Sequence, residues 1–179
     1  MTSRLPLTQI TDESLKAAQF FQESDGKWRS ERRYYTLPHG ETVEGLTLIS
    51  NRFLEQGSPE LLHLAKLHEL PEEMVLTCGI HVTWESVEPE SGRQRSVGET
   101  LFGVRGDVLY RDRGFAVHKP ITAEYYFSAP KTLHLRTEHK GSVFEEEIKL
   151  IGRHYRTRQS IISRAGEQQM IGQYLEKRI

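Results

Sequence analysis

The sequence predicts a mainly β protein: a ten-stranded antiparallel meander closed into a barrel, with an N-terminal helix and a short helix between strands 2 and 3. Three observations carry this. Short strand-forming runs recur along the chain with turn residues between them. The runs number ten, and closing so many strands removes the exposed edges a flat sheet would leave. One long run also alternates apolar residues at every second position, Leu76, Cys78, Ile80, Val82 and Trp84, the period of a strand with one face inside.

In chain order, residues 1–11 read as a poorly ordered lead-in. Thr11 or Asp12 caps a helix over 12–22, with Leu15, Ala18, Phe20 and Phe21 as its apolar positions. Ser24-Asp25-Gly26 stops it. The barrel spans 27–178, so that 1–179 is a single domain. Its first strand, 27–37, turns at Pro38-His39-Gly40 into a second at 44–53. A short helix over 59–68 follows, with Leu61, Leu62, Leu64, Ala65 and Leu67 on its buried side, placed to act as a lid or side plug. Strands at 74–87, 94–104, 107–113, 119–129, 132–138, 142–151, 155–164 and 168–177 complete the meander. The turn at 89–93, Pro130-Lys131, Lys140-Gly141, Gly152 and Ala165-Gly166 are among the separators.

Composition excludes several classes of function. With 24 Lys+Arg against 25 Asp+Glu the net charge is −1, so no general attraction to nucleic acid or an anionic membrane is expected. No run reaches the roughly 18 apolar residues of a membrane span, and the first ten residues lack the pattern of a secretory signal. One cysteine, Cys78, forbids an internal disulfide and fits a soluble protein of a reducing compartment. His63 and His68 are five apart, which does not align two ligands on a helix, so no metal site is expected.

The first strand carries charge and aromatics on both faces. Trp28, Ser30, Arg32, Tyr34 and Thr36 share one face, and Arg29, Glu31, Arg33, Tyr35 and Leu37 the other. That suits a lumen holding something flat and anionic. In the ninth strand Arg156, Arg158 and Ser160 share a face. If this strand approaches the first across the barrel closure, Arg32, Arg156 and Arg158 converge, and guanidinium forks bind carboxylates in bidentate fashion. The plainer alternative is a solvated face, or pairing with Glu145–Glu147. Trp28, just past Gly26, sits where lipocalin-like barrels plug one end beneath a last-strand arginine, a cation–π contact. Trp84 either stacks on a flat ligand or fills the core. Cys78, flanked by Leu76 and Ile80 on an apolar face, reads as a buried, inert thiol.

Four segments together resemble the S-type phycobiliprotein bilin lyases, the CpcS/CpeS family. They are Phe20-Phe21 with Gly26-Lys27-Trp28 and Arg32; Cys78-Gly79-Ile80-His81-Val82-Thr83-Trp84; Leu133-His134-Leu135-Arg136-Thr137-Glu138 with Glu146-Glu147; and Arg156-Thr157-Arg158-Gln159-Ser160. Each is short, but they stand in the family's order over about residues 17 to 164. The resemblance implies a lipocalin-like or fatty-acid-binding-protein-like barrel. It implies a lyase that takes up phycocyanobilin or a related bilin and attaches it through a thioether to a cysteine of a phycobiliprotein subunit, such as phycocyanin or phycoerythrin β or allophycocyanin. The bilin is then substrate, with no cofactor, and the acceptor supplies the nucleophile.

On the same resemblance, Arg32, Arg156 and Arg158 match positions that hold the bilin propionates, Trp84 matches the pocket wall, and Ser160 and Tyr35 join the contacts. Glu138 is the expected catalytic acid against the pyrrole nitrogens, and Trp28 the barrel closure. Where many members have a histidine three residues beyond Arg32, this chain has Tyr35, whose phenol titrates far above neutrality. The setting implied is a cyanobacterial cytoplasm or plastid stroma, and exposed strands leave a homodimer open. Two other readings remain at this stage: a bilin or fatty-acid carrier without attachment activity, and a partner subunit of a paired lyase.

Overall fold

The computed structural model describes residues 10–88, 90–114 and 117–179. The expected lead-in at 1–9 and Pro89 of one expected turn lie outside the described residues. A helix α1 (Asp12–Ser24) is followed by β1 (Gly26–Thr36) and β2 (Thr42–Glu55), a short helix α2 (Pro59–Leu67), and then β3 (Cys78–Val87), β4 (Gln94–Arg105), β5 (Val108–Arg111), β6 (Ile121–Ala129), β7 (Thr132–His139), β8 (Ser142–Ile151), β9 (Tyr155–Arg164) and β10 (Glu167–Arg178). Every strand pairs antiparallel with its sequence neighbour, and β1 pairs with β10, so the meander closes into a ten-stranded barrel. No helix among the described residues is long and apolar enough to cross a membrane.

Antiparallel order puts one set of strand ends together as a floor and the other as a mouth. The starts of β1, β3, β5, β7 and β9 lie at the floor with the ends of β2, β4, β6, β8 and β10. The helix α1 crosses this floor. Thr11 and Ser14 exchange a reciprocal capping box at its first turn, so Thr11 belongs to the helix entry and not to a loose lead-in. Its buried apolar side is Ala17, Phe20 and Phe21, whereas Leu15 is 57% exposed, contrary to expectation. The 3.6-residue period explains this: Leu15 lies off the stripe that Ala17, Phe20, Phe21 and Ser24 define. Glu13 accepts the Phe127 backbone N–H at 3.1 Å and ties the first turn to β6.

The helix α2 is not a lid. It lies against the outer face of β2–β4, where Leu54, Leu61, Leu64 and Leu76 form a second cluster separate from the interior. Only Leu61 and Leu64 are buried on the helix; Leu62 and Leu67 point to solvent. Leu76 belongs to this outer cluster too, because β3 begins only at Cys78 and the chain before it is not a strand. A flat seat for α2 comes from two glycines that face each other across β3 and β4, Gly79 and Gly103. A Cβ on Gly103 would stand 2.8 Å from Leu76, 3.0 Å from Leu64 and 3.1 Å from Leu61. Replacing Gly103 by valine is expected to cost about 1–3 kcal/mol through overpacking, measured as a lower urea midpoint with an unchanged denaturant slope.

Candidate functional site

The floor of the barrel is sealed by Trp28. Its indole is fully buried, with the Arg156 guanidinium 4.7 Å and the Arg178 guanidinium 4.2 Å from the ring centre. The indole N–H donates to the Ser24 carbonyl at 2.9 Å, and Asn51 donates to the same oxygen at 3.0 Å. Arg178 donates to the Glu23 carbonyl at 2.6 Å and to the Asp25 carbonyl. The last carbonyls of α1, which have no partner within a helix, are thus met by β1, β2 and β10.

Directly above lies a buried charge cluster. Glu176 of β10 is 0% exposed and binds Arg156, its register partner on β9. The other oxygen of Glu176 accepts from Ser30 at 3.0 Å, and Ser30 in turn accepts from Arg32 Nε at 3.2 Å. Arg158 stands 3.1 Å from Glu146 of β8 and 4.0 Å from Glu176. Burial acts to raise the Glu176 pKa, but Arg158 and Arg156 overcome it and hold the carboxyl down at about 2. Burial lowers Arg156 to about 10 despite Glu176. Even so, Arg156 Nη2 lacks a hydrogen-bond partner among the described residues, so the cluster retains an unused donor inside the barrel.

Above the cluster the barrel encloses a cavity of about 390 Å³. Arg32 reaches it from β1, its guanidinium 5.1 Å from the centre of the Tyr174 ring and 3.5 Å from the Tyr34 hydroxyl. Tyr34 and Tyr174 meet edge to face at 5.7 Å, and Tyr174 is hydrogen-bonded to Ser160 at 3.0 Å. Burial pushes the Tyr174 phenol up to about 12, so it stays a neutral donor. Trp84 of β3 also lines the cavity, and Gly98 on β4 leaves the room its indole occupies. Cys78 lies in the apolar part of the interior. Burial pushes its thiol up to about 12, which keeps it protonated and unreactive.

The structure therefore gathers Arg32, Trp84, Arg158 and Arg156 around one interior, with Ser160 reaching it through Tyr174. Two expected contacts are corrected. Glu138 lies on the outer face of β7, 60% exposed and paired with Arg136 at 3.1 Å. Strict alternation puts Leu133, Leu135 and Thr137 inside, so Glu138 cannot face the lumen. Among the described residues, Glu146 and Glu176 are carboxylates that face inward. Tyr35 also lies on the outer face, beside Arg33, because β1 pairs with β2 and β10 without a bulge and Tyr34 takes the inward position. Arg156 is committed to Glu176 and Trp28 and is 2% exposed, so it is first a floor residue.

Sequence reasoning passed over Tyr34, Tyr174 and Glu176 as site residues, whereas the alternative it offered, pairing of the ninth-strand arginines with Glu145–Glu147, is met by Arg158 and Glu146. A signal existed for the carboxylates: two inward arginines on one strand need buried counter-charges on the strands beside it.

A closed floor, aromatic side chains and several guanidinium groups define a ligand-binding type of barrel. The chain belongs to the CpeS-like family, whose model matches residues 16–179. It is 61% identical to the Nostoc sp. protein named "Putative phycocyanobilin lyase CpcS 2" over 179 residues, covering 100% of this chain and 99% of that one. It is 27% identical to the "Phycocyanobilin lyase subunit CpcS" of Picosynechococcus sp., over 84% of this chain and 79% of that protein. In fold it matches the S-type phycobiliprotein lyase CPES of Guillardia theta with a TM-score of 0.74 at 21% identity, over 95% of this chain and 98% of that one.

Replacing Glu176 by glutamine leaves two buried arginines short of a counter-charge and is expected to cost about 3–5 kcal/mol. The acid limb carries the sign. The Glu176 carboxyl is lowered in the folded state from an ordinary value of 4.5, so its contribution is complete above that value and is lost as the pH falls towards about 2. Unfolding free energies of wild type and the Glu176→Gln variant should therefore converge across that window, and parallel curves would remove the electrostatic role.

Proposed function

We propose that this chain is a bilin lyase: it takes up phycocyanobilin or a closely related linear tetrapyrrole and presents it to a cysteine of a phycobiliprotein subunit. The observation that carries this reading is the cavity itself, lined by Trp84, Tyr174 and several guanidinium groups. Family membership and the 61% identity to a protein named as a phycocyanobilin lyase support the same reading. A bilin is planar and conjugated, carries two propionates and presents pyrrole N–H groups, and each property has a counterpart in the interior.

The reaction is a net addition. The acceptor's thiol adds across the ethylidene double bond of ring A, a C–S bond forms, the thiol proton ends on the tetrapyrrole, and nothing leaves. The chain supplies no nucleophile, because Cys78 is buried and protonated. No resident cofactor enters this reading. Arg32 holds propionate oxygens, and Arg158 stands beside it paired with Glu146. Glu146, the inward carboxylate nearest Arg158, accepts N–H groups of the pyrroles and so favours the protonated bilin, the form more open to attack. The remaining contribution is positioning: holding one conformer with ring A at the mouth raises the rate and suppresses wrong adducts.

Mixing the protein with phycocyanobilin and an apo-phycobiliprotein is expected to give a bilin adduct that survives denaturation, above the spontaneous level. A shifted bilin absorbance without such an adduct would leave only a carrier. Arg32→Ala is expected to weaken phycocyanobilin binding by about 1.5–3 kcal/mol, the scale of a charged hydrogen bond, while thermal stability stays near wild type. Titration of bilin absorbance checks the first and a melting curve the second.

A further inference from the structure

Arg111 ends β5, and its register partner on β4 is Phe102. Both line the cavity. From β1 to β5 there are four steps around one arc of the barrel and six around the other, so Arg111 stands on a different wall from Arg32, across the lumen. Its guanidinium lies over the Phe102 ring, 4.7 Å from the centre. Its Nε is buried and has no hydrogen-bond partner among the described residues. The adjacent Asp112 does not serve it: one Asp112 oxygen accepts from Thr100 at 2.6 Å and from the Leu101 N–H at 2.9 Å, and the other lies 3.6 Å from Arg113.

The backbone of Arg111 is fixed from outside the barrel. His68, the C-cap of α2, contacts the Arg111 carbonyl through Nε2 at 2.8 Å. A carbonyl only accepts, so Nε2 carries the hydrogen. The same imidazole packs edge-on against Tyr110 at 5.1 Å. A cation with its guanidinium stacked, its carbonyl pinned and its Nε unpaired is prepared for an anion that the protein does not itself supply.

The charges inside the barrel single out the same residue. The guanidinium groups of Arg32, Arg111, Arg156 and Arg158 share the interior with the carboxylates of Glu146 and Glu176. Glu176 takes Arg156, and Glu146 takes Arg158. Arg32 and Arg111 make no direct ion pair with a carboxylate among the described residues, although Glu146 and Asp112 favour the Arg111 charge from further off, and the interior arginines outnumber its carboxylates. We infer that Arg111 is a second carboxylate anchor: Arg32 holds one acid group of the ligand and Arg111 the other, so that the pair sets the orientation of a flat diacid in the barrel. This rests on the bilin reading above, in which the two acids are propionates on flexible two-carbon stems.

The test compares phycocyanobilin with its dimethyl ester, in which both acids are blocked, on wild type and on Arg111→Gln and Arg111→Met. The methionine variant keeps an apolar stem over Phe102 and decides the matter if the glutamine variant does not fold. Wild type is expected to prefer the free diacid. Loss of Arg111 is expected to weaken the diacid by about tenfold or more and to leave the diester nearly unchanged. Equal weakening of both ligands would make Arg111 a packing residue, and no weakening of either would leave it idle; both overturn the inference while the bilin reading stands. A wild type that binds neither ligand removes the bilin reading, and one that binds both equally removes the carboxylate role of Arg111 along with that of Arg32.

Discussion

The Trp28 indole, held between Arg156 and Arg178 above the last turn of α1, ties together parts of the chain that are distant in sequence. Arg178 fastens the end of the chain to its first helix. Arg156 hands its charge to Glu176, and Glu176 reaches through Ser30 to Arg32. A single connected set of contacts therefore closes the barrel between β1 and β10, seals its floor and orients a cation in the cavity. Because Arg156 and Glu176 are desolvated, each of the two is costly without the other. Barrel closure and ligand site are in this sense one structure.

Polarity is distributed by height. Near the floor the interior is filled by α1 and by Ala17, Phe20, Phe21, Cys78, Val104 and Leu109. Towards the mouth the same strands carry Arg32, Tyr34, Trp84, Arg111 and Glu146. Packing at the floor gives rigidity to polar groups that a looser barrel could not hold in register. Outside, α2 performs a parallel task on one wall. Seated on the facing glycines of β3 and β4, it brings His68 to the end of the short strand β5.

Much of this was legible from the residues. Turn punctuation every ten or so residues defined the meander, and period-two alternation separated Arg156 and Arg158 from Thr157 and Gln159 correctly. The same rule, applied to β7, would have excluded Glu138, since Leu133 and Leu135 claim the inside. At position 138 the family motif and the face of the strand point in different directions, and the face decides. Tyr35 is the same case, since alternation puts Tyr34 inside. Helix burial was less legible, because Leu15, Leu62 and Leu67 are apolar yet exposed, and only tertiary packing decides which leucines of a short helix meet the sheet. Arg111 was out of reach of sequence pattern. Its significance depends on which other arginines are already neutralised, which is a property of strand register and not of spacing.

The buried thiol of Cys78 has a consequence for the traffic of a reactive cargo. A barrel that carries an electrophile to another protein's cysteine is itself exposed to that electrophile throughout transit. Any accessible thiolate on its own walls would compete with the intended acceptor and end as a dead, permanently coloured product. The chain has one cysteine and places it deep in the apolar interior, where the proton stays on sulfur. A barrel built this way stays chemically silent towards such a cargo.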